Sequence, residues 1–103
     1  MAAYHASPLV MPGQWVRVSG PNPVGFIRFQ NIGGALAYLQ ATTGDTPPPA
    51  PTDASSSFPG AISVPAGGGS YVSLPFAFPG VPGATVLWAY APFGQTRLSV
   101  SHG

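Results

Sequence analysis

Cysteine is absent from this 103-residue sequence, and so are lysine and glutamate. Without cysteine no disulfide framework or thiolate metal site can form, and the redox compartment stays open. Without lysine, Schiff-base chemistry and lysine-based isopeptide cross-links are unavailable. The fixed charges are Arg17, Arg28, Arg97, Asp45 and Asp53, which is 5% of residues against roughly 25% in ordinary soluble domains. That scarcity leaves no basic stripe to displace phosphate counterions, so nucleic acid is not an expected partner. No apolar run approaches the roughly 20 residues that span a bilayer, so no membrane partner is expected. Residues 1–13 lack a basic region followed by an apolar stretch, so no export signal is expected.

The residue types that carry chemistry are equally sparse. Asp45 and Asp53 are the sole carboxylates, and both fall in a Pro-rich segment. Glycoside hydrolysis needs two carboxyl groups held rigidly across a bond, and such a segment suits turn capping better. His5 and His102 stand at opposite ends of the chain, whereas a metal site needs three or four ligands. They are expected to face solvent. No Gly-x-Ser-x-Gly elbow is present, and no base is spaced to activate a nucleophile. Gly67-Gly68-Gly69 precedes a strand pattern and no helix, so it reads as a hairpin turn and no phosphate cradle. No catalytic, cofactor or metal site is expected, and the chain is read as a non-enzyme.

What the sequence has in quantity is punctuation: 14 glycines and 14 prolines. The longest stretch free of both runs only from Ala35 to Thr43. A mean helix needs about 11–12 residues, and an internal Gly or Pro costs about 1 or 3 kcal/mol, so no helix is expected. Between the breaks the pattern alternates with period two, which predicts strands. Seven follow: Gln14–Ser19, Val24–Asn31, Ala35–Ala41, Gly60–Val64, Ser70–Phe76, Ala84–Ala91 and Thr96–Ser101. With 45% hydrophobic and 12% aromatic residues they can build a core. The fold class is all-β, a single small antiparallel β-sandwich or jelly roll; an open barrel is the alternative. The domain is placed at residues 14–103, with an N-terminal arm at 1–13. The segment 42–57 (TTGDTPPPAPTDASSS) favours polyproline II and cannot pair into a sheet, so it is a surface loop or a contact with a neighbour.

A near-neutral, apolar surface suits a chain whose surface neighbours cover. A small domain also gains from such partners. Arg17, Arg28 and Arg97 alternate with apolar residues in mid-strand and point away from the core, where a planar guanidinium can bridge a subunit boundary. In the arm, Tyr4, Leu9, Val10 and Met11 offer apolar groups for a β-augmenting or groove-filling contact; a frayed terminus is the alternative. Trp15, Tyr38, Tyr71, Trp88 and Tyr90 could form a sugar-stacking platform, with Trp88 and Tyr90 on one strand face. The favoured reading is that they fill a core or an interface.

Three blocks carry a family likeness: FIRFQNIGGALAYLQ (Phe26–Gln40), FPGAISVPAGGGSYVSLP (Phe58–Pro75) and TVLWAYAPFGQTRLSVS (Thr85–Ser101). The last reads as a closing hairpin. Together they span much of the stretch from Val24 onward, which resembles the small β-sandwich structural proteins of tailed-phage virions, the decoration, cement and head-fibre class. The arm and the Pro-rich insert have no counterpart in that pattern. The resemblance implies a virion protein that decorates or cements the capsid by multivalent contacts with the major capsid protein or other virion proteins. It further implies a homo-oligomer, with a trimer expected. A head–tail connector or tail or fibre component is the second reading, and a carbohydrate-binding module using Trp88 and Tyr90 the third.

Overall fold

Strands form where the alternation is cleanest. In Phe26–Asn31 every second residue is buried, and Thr96–His102 buries its own alternate set. These two runs pair antiparallel, with Arg28 opposite Ser101 and Asn31 opposite Leu98, and they form the centre of one sheet. A computed structural model describes residues 4–20, 24–44, 46–48, 61–81 and 83–102. In chain order the strands are β1 (Tyr4–Ala6), β2 (Leu9–Val10), β3 (Val16–Arg17), β4 (Phe26–Asn31), β5 (Ala37–Thr42), β6 (Ile62–Val64), β7 (Gly69–Ser73), β8 (Val86–Tyr90) and β9 (Thr96–His102).

The first sheet runs β1-β9-β4-β7, with β2 also on β9; the second runs β3-β8-β5-β6. All of these pairings are antiparallel. β1 and β2 act as one edge strand interrupted at Ser7-Pro8, because proline has no N–H to give the ladder. The Pro8 carbonyl still accepts from Leu98 N–H at 3.2 Å. Counted so, there are eight strands in two four-stranded sheets, in the order of a jelly roll. The all-β sandwich expected from the alternation is what the chain forms.

Three expectations need correction. Residues 4–10 form no separate arm: they close the first sheet along β9 of the same chain. Among the described residues the short turns join strands of different sheets. Gly67-Gly68 leads from β6 to β7, and residues 91–95 lead from β8 to β9, so both are arches and not hairpins. The third concerns Ser70–Phe76. Its strand stops at Ser73, and a four-residue helix, α1 (Leu74–Ala77), follows with proline in its first turn. Pro75 cannot donate to a ladder, whereas one helical turn swings both Leu74 and Phe78 into the core.

The core lies between the sheets. Ile27, Phe29, Leu98, Val100 and Val10 face Leu39, Leu87, Val64, Val18 and a set of alanines (Ala37, Ala41, Ala89). Leu74 and Phe78 close one end. Trp88 and Val86 are buried but stand outside this cluster, on the outer face of the second sheet.

Candidate functional site

At the end of the sandwich where β4 passes to β5, Asn31 is fully buried and both ends of its amide are used. Its Nδ2 donates to Ala35 O at 2.7 Å and to Val64 O at 2.9 Å. Its Oδ1 accepts from Thr96 Oγ1 at 2.7 Å and from Gly33 N–H at 3.1 Å. One side chain thus ties β4 and β9 of the first sheet to β6 of the second. Gly33 makes this possible by lying against β9. A Cβ there would stand 2.5 Å from Arg97 N and 2.9 Å from Thr96 Cα, and would overlap Thr96 Oγ1. Gly33→Ala is therefore expected to cost about 1–3 kcal/mol by overpacking. Urea denaturation checks it; a loss under about 0.5 kcal/mol, the scatter of neutral surface changes, would show that the backbone moves freely here.

Around this node the surface is apolar. Ile32 follows Asn31 and its N–H donates to Arg97 O at 2.9 Å. Leu9 pairs with Arg97, and Met11 follows Val10, which pairs with Thr96. Phe93 lies in the arch that leads into Thr96. Ile32 is 51% and Phe93 77% exposed, and Leu9 and Met11 are also exposed. The strand pairing thus gathers four large apolar side chains at one end of the molecule. The Arg97 guanidinium beside them donates from Nη1 to Ser7 O at 2.6 Å.

The outer face of the first sheet differs in character. One row across its four strands reads His5, Ser101, Arg28, Tyr71, and the next reads Ser99, Gln30, Gly69. Tyr71 stacks on Phe26, with centroids 5.5 Å apart and 19° between planes. Ser101 Oγ and His5 Nδ1 are 2.8 Å apart.

On the outer face of the second sheet, Trp88 is only 7% exposed and its Nε1 donates to Thr42 Oγ1 at 2.8 Å. Its ring presents no open face to a sugar. Trp15 packs against Tyr90 at 5.2 Å with the rings tilted by 59°, and Tyr38 pairs with Tyr90 across the ladder.

The structure separates the residues expected to bind partners. Leu9, Met11 and Arg97 meet at the apolar end. Val10 is wholly buried in its own core and offers nothing to a partner. Tyr4 stacks on His102 at 4.9 Å and holds the edge strand to the Gly20 loop. Arg17 donates to Ser19 O and Gly20 O at 3.3 and 2.7 Å, folding back on its own loop. Arg28 is exposed on the sheet face. His102 corrects an expectation: it is buried, and its Nε2 accepts from Gly20 N–H at 2.9 Å. Asp45, Asp53 and residues 49–57 of the Pro-rich segment lie outside the described residues, while Thr42 belongs to β5. Sequence reasoning missed Ile32 and Phe93; the signal was a bulky apolar residue in a short turn directly before glycine, Gly33-Gly34 after Ile32 and Gly94 after Phe93.

Among the described residues no three His, Asp or Glu side chains gather as a metal site. No described helix is long and apolar enough to cross a membrane. No family model, no curated protein and no solved structure matches the chain.

Proposed function

We propose that this chain is a non-enzymatic structural subunit of a virion, seated on the capsid or a neighbouring virion protein through its Leu9/Met11/Ile32/Phe93 end. The observation that carries the reading is the exposure of Ile32 and Phe93 together at one end of a chain with only three basic and two acidic residues. Such a surface, unprotected by charge, is stable in water when a partner covers it. The position of Arg97 beside the apolar groups suits a rim contact. Jelly-roll order adds support by analogy, since capsid proteins are among the uses of that architecture. A homotrimeric unit, repeated over a particle, would gain from multivalency.

The test is cryo-EM and mass spectrometry of virions purified from lysates of the source organism. The chain is expected on the particle in many copies, with the Ile32/Phe93 end against its neighbour. An Ile32→Ser/Phe93→Ser double variant is expected to lower occupancy about tenfold or more, as removal of central apolar anchors does. Finding the protein only as a free monomer, or full occupancy by the double variant, would overturn the reading.

A further inference from the structure

The outer face of the first sheet carries a shallow groove of about 900 Å³ that the assembly reading does not use. Arg28, Gln30, Gly69, Tyr71, Ser99 and Ser101 line it. Its volume falls within the roughly 300–1,000 Å³ range of small-ligand sites. It is open to solvent along its length.

Each part of the groove has a cause in the register. Arg28 sits on central β4, flanked by Tyr71 on one side and Ser101 on the other. Neighbouring strands lie about 4.8 Å apart, so the ring and the hydroxyl bracket the guanidinium across two spacings. Gly69 stands opposite Gln30. A Cβ on Gly69 would meet Phe29 O at 2.5 Å and Gln30 Cα at 2.9 Å. With no side chain possible there, the floor beside Tyr71 stays low.

Arg28 is the chemical centre. Among the described residues it has no hydrogen-bond or ionic partner, unlike Arg17 and Arg97, which both donate to backbone carbonyls. A guanidinium in that state keeps a planar fork of donors matched to a carboxylate. Beside it, Tyr71 is 65% exposed and is braced by Phe26, which fixes one aromatic face. Ser99 and Gln30 supply hydroxyl and amide groups, and Ser101 is oriented by His5 at 2.8 Å. An apolar ring face, a carboxylate receptor and short polar side chains in one groove match a sugar that bears a carboxylate. A phosphate polymer is a poor fit, because one arginine cannot replace several counterions.

We propose that this groove binds an acidic saccharide, with Arg28 on the carboxylate and Tyr71 against the apolar face of the ring. The proposal stands apart from the assembly reading, because its residues do not overlap the Ile32/Phe93 end.

The test is titration of the 15N-labelled protein, followed by amide NMR shifts, with three acidic probes at millimolar concentration: trigalacturonate, 3′-sialyllactose and a hyaluronan tetrasaccharide. Neutral galactotriose and lactose, and an Asp/Glu-rich peptide, serve as comparators. At least one acidic sugar is expected to shift the amides of Arg28, Gln30, Tyr71 and Ser101. Arg28→Gln and Tyr71→Ala, each with an unchanged melting temperature, are expected to weaken that binding about tenfold or more. Silence with all three acidic sugars, shifts confined to another face, or equal binding of the neutral sugars or the peptide would overturn the proposal. None of these outcomes touches particle occupancy, so the two readings fail separately.

Discussion

Asn31→Asp is expected to destabilise the domain by about 3–5 kcal/mol at neutral pH, the range for a buried charge left without a counter-charge. The substitution keeps size and shape and changes only one donor group. Asn31 Nδ2 now faces two carbonyl oxygens, Ala35 O at 2.7 Å and Val64 O at 2.9 Å. A carboxylate oxygen in that place meets two acceptors with no proton between them. The amide and hydroxyl donors from Gly33 and Thr96 remain, but no counter-charge stands among these four contacts. Stabilities of domains this size are about 5–15 kcal/mol, so the loss is a large share.

The variant should also acquire a pH dependence of definite sign. Burial and acceptor neighbours favour the neutral acid, so the folded carboxyl titrates above the ordinary aspartate value of about 3.9. Between the two values the folded state holds the extra proton, and stability falls as pH rises through that window. Denaturation midpoints of the variant and the parent should therefore converge as the pH is lowered toward 4. A constant gap across pH, or a cost under about 1 kcal/mol, would mean that the carboxylate finds solvent.

The second large effect is expected at Leu98. It is fully buried on β9, the strand that pairs with β1, β2 and β4. Removing its side chain to alanine leaves a cavity that neighbours in the ladder cannot close, because their backbones are held by hydrogen bonds. The cost is expected at about 2–5 kcal/mol, and each kcal/mol lowers Tm by roughly 4–8 °C in a domain of this size. Arg97→Ala, one residue away on the opposite face, should cost under about 1 kcal/mol, since only an exposed bond to Ser7 O is lost. Thermal melts of the pair make the comparison; similar losses at both positions would contradict the assignment of faces.

Much of this fold is readable in the chain itself. All seven strands expected from alternation recur, although several are shorter than their apolar runs. Gln14–Ser19, for instance, is reduced to Val16–Arg17. Val18 N–H still donates to Leu87 O, but Leu87 N–H donates to the Ser19 hydroxyl and not to a backbone carbonyl, which ends the ladder. What alternation could not reveal was partner choice. A Gly-rich turn serves a hairpin or an arch equally well, and FGQ between β8 and β9 looks the same in either. Nor does the arm announce its place: Tyr4–Ala6 is a short polar-apolar run, and it becomes a strand only because β9 offers an open edge.

The candidate sites show the same division. Arg28, Leu9, Met11 and Arg97 were legible as outward or apolar groups from residue type and alternation. Their sorting into an apolar end and a polar groove was not. Val10 and His102 show the converse, since a position near a chain end suggested exposure and strand pairing buried both.

The sequence by itself determined that this protein is all-β and bears very few charges, because proline, glycine, alternation and residue type act locally and need no partner. Only the tertiary structure decided the jelly-roll order, the closure of the first sheet by residues 4–10, the Asn31 tie between sheets and the Arg28 groove. Each of these joins residues far apart in the chain, as Asn31 and Thr96 are, 65 positions apart. Such contacts depend on register, and a period-two pattern specifies which face a residue takes without specifying which strand lies beside it.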